Sequence, residues 1–197
     1  MKSIKIFVEG ESDKKFISDY IKHLEIDLSI IDFQIEKLNG KDDDKFQKNL
    51  PQFASSDKNL VIVDADDNFE ERKSHLLALK TRLSIDYNIF LFPNNYGNGE
   101  LETLLQSIIW DKYQGYFSCF PPFESCVKLA HSDFNPPSLK DKIYAYLSAL
   151  LIGRETDQRS KYISPTNMEY MNERFWNINH SNLYPLKRFL IEHISGA

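Results

Sequence analysis

Cysteine is scarce: Cys119 and Cys126 are the only two in 197 residues. Their spacing makes neither a CxxC metal pair nor a disulfide framework, so both read as reduced structural thiols. Glycine is scarce as well, at seven residues, and no GxxxxGK[ST] occurs. Gly97-x-Gly99 runs on to Glu102 without a third glycine, which excludes the phosphate cradles of P-loop and dinucleotide folds. No apolar run approaches the roughly 18 to 20 residues that a membrane span needs, and the opening MKSIKIFVEGESD turns acidic too early for a signal peptide. A cytoplasmic protein without a membrane partner is the expectation. His23, His75, His131, His180 and His193 show no HExxH or paired spacing, which argues against zinc. Excess positive charge is also missing, with 24 Lys and Arg against 29 Asp and Glu and a net charge of -5. That balance argues against a basic nucleic-acid glove, yet it is compatible with a metal-dependent enzyme whose bound cations restore the attraction to phosphate.

What is present is ordinary globular composition, 42% hydrophobic and 27% charged, without internal repeats or low-complexity tracts. One core suits this length. The pattern predicts strands at 4–8, 30–38, 60–63 and 88–92. Helical segments follow at about 13–23, 46–53 and 70–83, and 42–44 supplies acidic residues at a helix start. Strands alternating with helices indicate a mostly parallel sheet of about four strands covered on both faces, an α/β class. Residues 1–110 form this core and 111–197 a mainly helical extension packed on it. The core ends in a helical segment at 100–110; in the extension, 139–152 and 183–194 read as helices, and the proline pairs make 117–137 an irregular connection.

Function has an address in such a sheet, beyond the carboxyl ends of the strands. Two acidic motifs lie there. VIVDADD carries Asp64 and Asp66 past a buried strand, where side chains two apart in extended chain share a face, as a hard oxygen-seeking cation requires. Glu9-Gly10 ends the first strand, and Asp13 follows at the start of a helix that Ser12 or Asp13 can cap. Carboxylates gathered this way repel one another and call for a cation or a proton. The plain alternative for each motif is a capped helix start. Tyr113, Tyr116, Phe117, Phe120 and Phe123 have two readings, a base-stacking surface or packing of the C-terminal helices onto the sheet, and the lack of adjacent basic residues favours packing.

IFVEGESD resembles the strand-borne Glu-Gly-x-x-Asp of the Toprim family of primases, topoisomerases, small RNA-maturing ribonucleases and OLD-type nucleases, and VIVDADD resembles its later Asp-x-Asp. GNGELETLL and the stretch from Lys140 through Trp176 to Leu190 resemble an uncharacterised bacterial group of Toprim-like proteins. The resemblance implies a Toprim-like sheet in which Glu9 binds metal or acts as general acid or base. It implies Mg²⁺ (or Mn²⁺) at Asp64 and Asp66, with Asp13 near a second ion. Further acids and a lysine are implied after the sheet, with Glu100, Glu102, Lys140 and Lys142 as candidates. The activity implied is phosphodiester hydrolysis on nucleic acid. Two other readings remain: a non-catalytic Toprim-like module that binds a protein partner, and a dehalogenase-type phosphatase with Asp64 as nucleophile. An EF-hand over 64–75 fails, because Phe69 stands where glycine is needed and His75 where glutamate is needed.

Overall fold

The computed structural model describes residues 2–40, 43–151 and 163–195. Strands β1 (Lys2–Val8), β2 (Ile31–Lys37), β3 (Lys58–Asp64) and β4 (Asn88–Phe92) form one sheet in the order β2-β1-β3-β4. Every neighbouring pair is parallel, with Val8 opposite Ile62 and Asp64 opposite Phe92. β1 and β3 are the inner strands, and their nearly continuous apolar sequences follow from burial on both faces. The edge strand β2 keeps a polar alternation instead, leaving Asp32 and Gln34 exposed.

The period-two alternation of side chains divides the core. Ile4, Ile6, Val8, Leu60, Ile62, Phe90 and Phe92 point into one cluster. That cluster also holds Phe16 and Ile17 of α1 (Glu11–His23), Leu104 of α5 (Leu101–Ser107), Ile143 and Tyr146 of α8 (Leu139–Leu150), and Leu186 of α9 (Tyr184–Leu190). Trp176 is fully buried in it, so the helical extension shares a core with the sheet. Phe7, Val61, Val63 and Leu91 face the other way. They meet Phe46 of α2 (Asp43–Lys48), Phe53 of α3 (Leu50–Ala54), and Leu76 and Leu79 of α4 (Phe69–Leu83). Phe7 and Phe53 stack with ring centroids 3.8 Å apart, an arrangement that contributes about 1 kcal/mol beyond the area it buries. Lys5 points into the same layer, and its buried ammonium is satisfied by Gln52 Oε1 at 2.6 Å and Ser55 Oγ at 2.8 Å.

Proline misleads in one place. Residues 117–137, read from the sequence as irregular, contain the helix α7 (Phe120–Ala130), in which Pro121 and Pro122 occupy the first turn. Their missing N–H groups have no intrahelical partner there, so proline starts this helix rather than breaking one. Before it, α6 (Asp111–Gln114) and a 3₁₀ turn at Phe117–Cys119 carry aromatics inward, where Tyr113, Tyr116 and Phe117 surround Tyr146 with centroids 5.8 to 6.1 Å away. Phe123 stays outside this group at 53% exposure. The segment 183–194 divides into α9, preceded by the 3₁₀ turn Ser181–Leu183 and followed by a π turn at Ile191–Ser195. Asp42 and Ile152, expected at helix ends, lie outside the described residues. Among the described residues no helix is long and apolar enough to cross a membrane.

The chain leaves β1 for β2 on one side, and β3 then pairs on β1's other side. The strand order therefore switches direction between β1 and β3, which opens a crevice at their carboxyl ends.

Candidate functional site

Glu9 and Asp64 reach that crevice because each stands at the carboxyl end of an inner strand, Glu9 one residue past Val8 and Asp64 as the last residue of β3. Gly10 is extended (φ -145°, ψ -168°), and its N–H donates to Asp13 Oδ2 at 2.9 Å. Asp13 thereby caps α1 from its third position while remaining buried in the crevice wall. Ser12 leaves the capping role to Asp13 and meets the Lys140 ammonium, whose Nζ lies 3.4 Å from Ser12 Oγ.

The opposite wall is built by α5 and α8. Leu101 N–H donates to Asp64 Oδ1 at 2.9 Å, fixing one carboxylate oxygen at the start of α5. One position on, Glu102 is buried and faces Lys140, with Nζ 3.4 Å from Oε1. Ser138 caps α8 by accepting from Asp141 N–H at 3.2 Å, and this brings Lys140 to the rim in the first turn. Asp13, Asp64, Glu100, Glu102, Ser12 and Lys140 line a hollow of about 420 Å³.

Electrostatics in the hollow follow from packing acids together away from water. Burial, then the charges of Asp13 and Glu9, push the Asp64 carboxyl up to about 8, against the lowering effect of Leu101 N–H. Burial likewise raises Asp13 to about 6, opposed by Gly10 N–H and reinforced by Glu102 and Glu9. Glu100 is raised by burial and by Glu102, with Lys140 working the other way. Burial disfavours the charged Lys140, but Glu102, by charge and hydrogen bond, together with Tyr144 and Asp13 outweighs it and holds the ammonium above the ordinary lysine range.

The structure separates some residues that the sequence grouped. Asp66 has a left-handed backbone (φ 55°), which ends the extended alternation on which a shared face with Asp64 relied. Its backbone pairs with Gly99, N–H to O at 3.0 Å and O from N–H at 2.7 Å. Asp66 lines a neighbouring hollow of about 540 Å³ with Asp43, Asp67, Asn68, Glu71, Arg72 and His75, although its charge is still felt by Glu100. Lys142 turns away from both hollows to pair with Glu124 at 2.5 Å and to lie over the Phe120 ring. Ser12, Ser138 and Pro165 line the crevice without having been singled out for it. Ser138 had a legible signal, the Ser-x-x-Asp of a capping box ahead of α8. Pro165 arrives by tertiary folding alone.

The donor set is all carboxylate oxygen, which suits a hard divalent ion, and such an ion would relieve the repulsion that lifts Asp13 and Asp64. Among the described residues no three His, Cys, Asp or Glu side chains stand together as a ready ligand set. Mg²⁺ is compatible with that arrangement, because it takes one or two carboxylates and keeps several waters. Glu9 and Asp64, whose charges act on one another, are the residues that would hold it.

Neither the curated proteins nor the solved structures include a match to this chain. A family model described as a protein of unknown function (DUF3226) matches residues 3–194, nearly the whole length, and the chain belongs to that family.

Proposed function

We propose that the protein is a cytoplasmic, Mg²⁺-dependent nuclease of Toprim-like type, with Mn²⁺ as an alternative ion, hydrolysing phosphodiesters in nucleic acid. The observation that supports this reading is one hollow at the carboxyl ends of β1 and β3 lined by Asp13, Asp64, Glu102 and Lys140, with the charge of Glu9 felt by Asp13 and Asp64. A divalent ion held at Glu9 and Asp64 would supply Lewis-acid activation of a phosphodiester and of water. Leu101 N–H keeps one Asp64 oxygen fixed, which would leave the other available to an ion. Lys140 lies across the hollow and would offset negative charge developing on the phosphate. Glu102 holds that ammonium charged and in place. Asp13, buried in the crevice wall beside Asp64, would either join the ion's ligands or move a proton at its carboxyl oxygen.

The test is cleavage of single- and double-stranded DNA and RNA with Mg²⁺ or Mn²⁺, beside an Asp64→Asn control. Cleavage by the native chain and none by the variant supports the proposal. Equal cleavage by both removes it.

A second reading, a non-catalytic module that binds a protein, is favoured by α7, where Phe123 and Leu129 are exposed and no residue of the helix is buried. Metal binding without turnover on any substrate would favour it.

A further inference from the structure

Another hollow, of about 500 Å³, lies between the loop after β4 and α9, outside the acidic crevice. Tyr96 and Tyr184 line it while 72% and 61% exposed. Tyrosine rings so exposed gain little from folding, and here two of them, distant in sequence, border one hollow. Arg188 stands one helical turn beyond Tyr184 on α9 and also lines it. Its guanidinium is exposed and makes no ion pair among the described residues. The floor is Phe189, buried against Phe90 of β4 and braced edge-on by His193. A single carboxylate, Glu192, completes the rim.

We infer that this hollow is a subsite for single-stranded nucleic acid, in which bases stack on Tyr96 and Tyr184 and Arg188 meets a backbone phosphate. Exposed aromatic faces beside an unneutralised guanidinium are the combination that binds single strands with little sequence preference. A bidentate guanidinium matches phosphate geometry. Glu192, which lines the same hollow, is unsuited to phosphate and would instead accept from an amino group on a base edge, as carboxylates accept from cytosine N4.

The inference rests on the nuclease reading and extends it by supplying a grip on the strand that the acidic crevice lacks. The two sites share one loop. Tyr96 and Glu100 are four residues apart, so their Cα atoms lie within about 14 Å of each other. That span corresponds to about four nucleotides at roughly 3.4 Å each. A strand whose scissile phosphate occupies the crevice would reach the tyrosines with its flanking nucleotides.

The test is fluorescence anisotropy of labelled dodecamers of single-stranded DNA and RNA on the full chain in EDTA, where metal-dependent cleavage is absent. Binding by the native chain that weakens about tenfold in Tyr96→Ala and again in Tyr184→Ala is expected. Arg188→Ala should weaken binding and flatten its salt dependence, and Tyr96→Phe, which keeps the ring, should bind as the native chain does. Circular dichroism melts establish that the variants fold. No binding by the native chain, or equal binding by a folded Tyr96→Ala/Tyr184→Ala double variant, overturns the subsite. Because binding is read without metal, it can stand while the cleavage assay fails, which separates this inference from the nuclease reading.

Discussion

Leu101 N–H donates to Asp64 Oδ1 at 2.9 Å, joining the last residue of an inner strand to the first turn of the helix that carries Glu102. This one bond offsets part of the desolvation and repulsion that otherwise drive Asp64 to hold a proton. It also suggests how Asp64 can be changed without unfolding the site.

Asp64→Asn keeps an oxygen to accept from Leu101 N–H and removes a charge from a repelling group. Its metal-free form is expected to be more stable than the native chain at pH 8, with a rise in Tm of about 2–4 °C for each kcal/mol of relieved repulsion. Differential scanning calorimetry in EDTA measures this. An unchanged or lower Tm would contradict the electrostatic account of the crevice.

The pH dependence follows from the raised carboxyls. Asp13 and Asp64 bind a proton more tightly when folded than when unfolded, so their stabilisation is complete below the ordinary carboxylate range near pH 4. It is lost as pH rises through about 6 and then about 8. Asp43 and Asp141 are shifted the opposite way, their stabilisation being lost only in acid, so they do not oppose this trend above pH 5. His193, held below the usual imidazole range by burial, acts the opposite way at the acid end of the window, so between pH 5 and 8 the metal-free protein should show a net loss on the order of 2–4 kcal/mol of unfolding free energy, allowing for relaxation and water entry. Mg²⁺ should restore most of that loss at pH 8 and little at pH 5. Urea unfolding at the two pH values, with and without Mg²⁺, checks both statements.

Gly99 has φ 132°, and a Cβ added there would meet Thr103 Oγ1 at 2.7 Å. The Gly99 carbonyl also accepts from Ala65 and Asp66 N–H, both at 3.0 Å. Gly99→Ala is therefore expected to destabilise the fold by about 1–3 kcal/mol and to disturb the approach of Glu102 to the crevice. Chemical denaturation reads the first effect and cleavage activity the second.

The two candidate lysines should separate. Lys140→Ala removes the cation facing Glu102 and should lower cleavage about 100-fold or more, in line with the loss of a donor that stabilises developing charge. Lys142 is committed to the part-buried Glu124, so Lys142→Ala should leave cleavage intact while lowering stability by more than the loss of an exposed pair would, because Glu124 is left without its cation. Steady-state cleavage rates for the two variants decide the assignment.

The sheet was legible because β1, β3 and β4 are apolar runs bounded by turn formers, and their alternation with helices has one common architectural solution. The positions of Glu9 and Asp64 followed from strand ends, a local property. Glu102 and Lys140, by contrast, look in sequence like solvated helix residues, and only the docking of α5 against α8 makes them partners. The turn of Asp66 toward the neighbouring hollow has a local reason that the motif hides. An aspartate tolerates left-handed backbone, and its bridge to Gly99, 33 residues on, selects that conformation. Lys142 differs from Lys140 only by helical phase, two positions being enough to turn it from the crevice toward Glu124.

The most direct measurement is a Mn²⁺ titration followed by electron paramagnetic resonance at pH 8 on the native chain, Glu9→Gln and Asp64→Asn. The account expects the native chain to take up the ion and each variant to bind it at least about tenfold more weakly, as loss of a ligand does. Absence of binding to the native chain, or equal affinity in all three proteins, would contradict it.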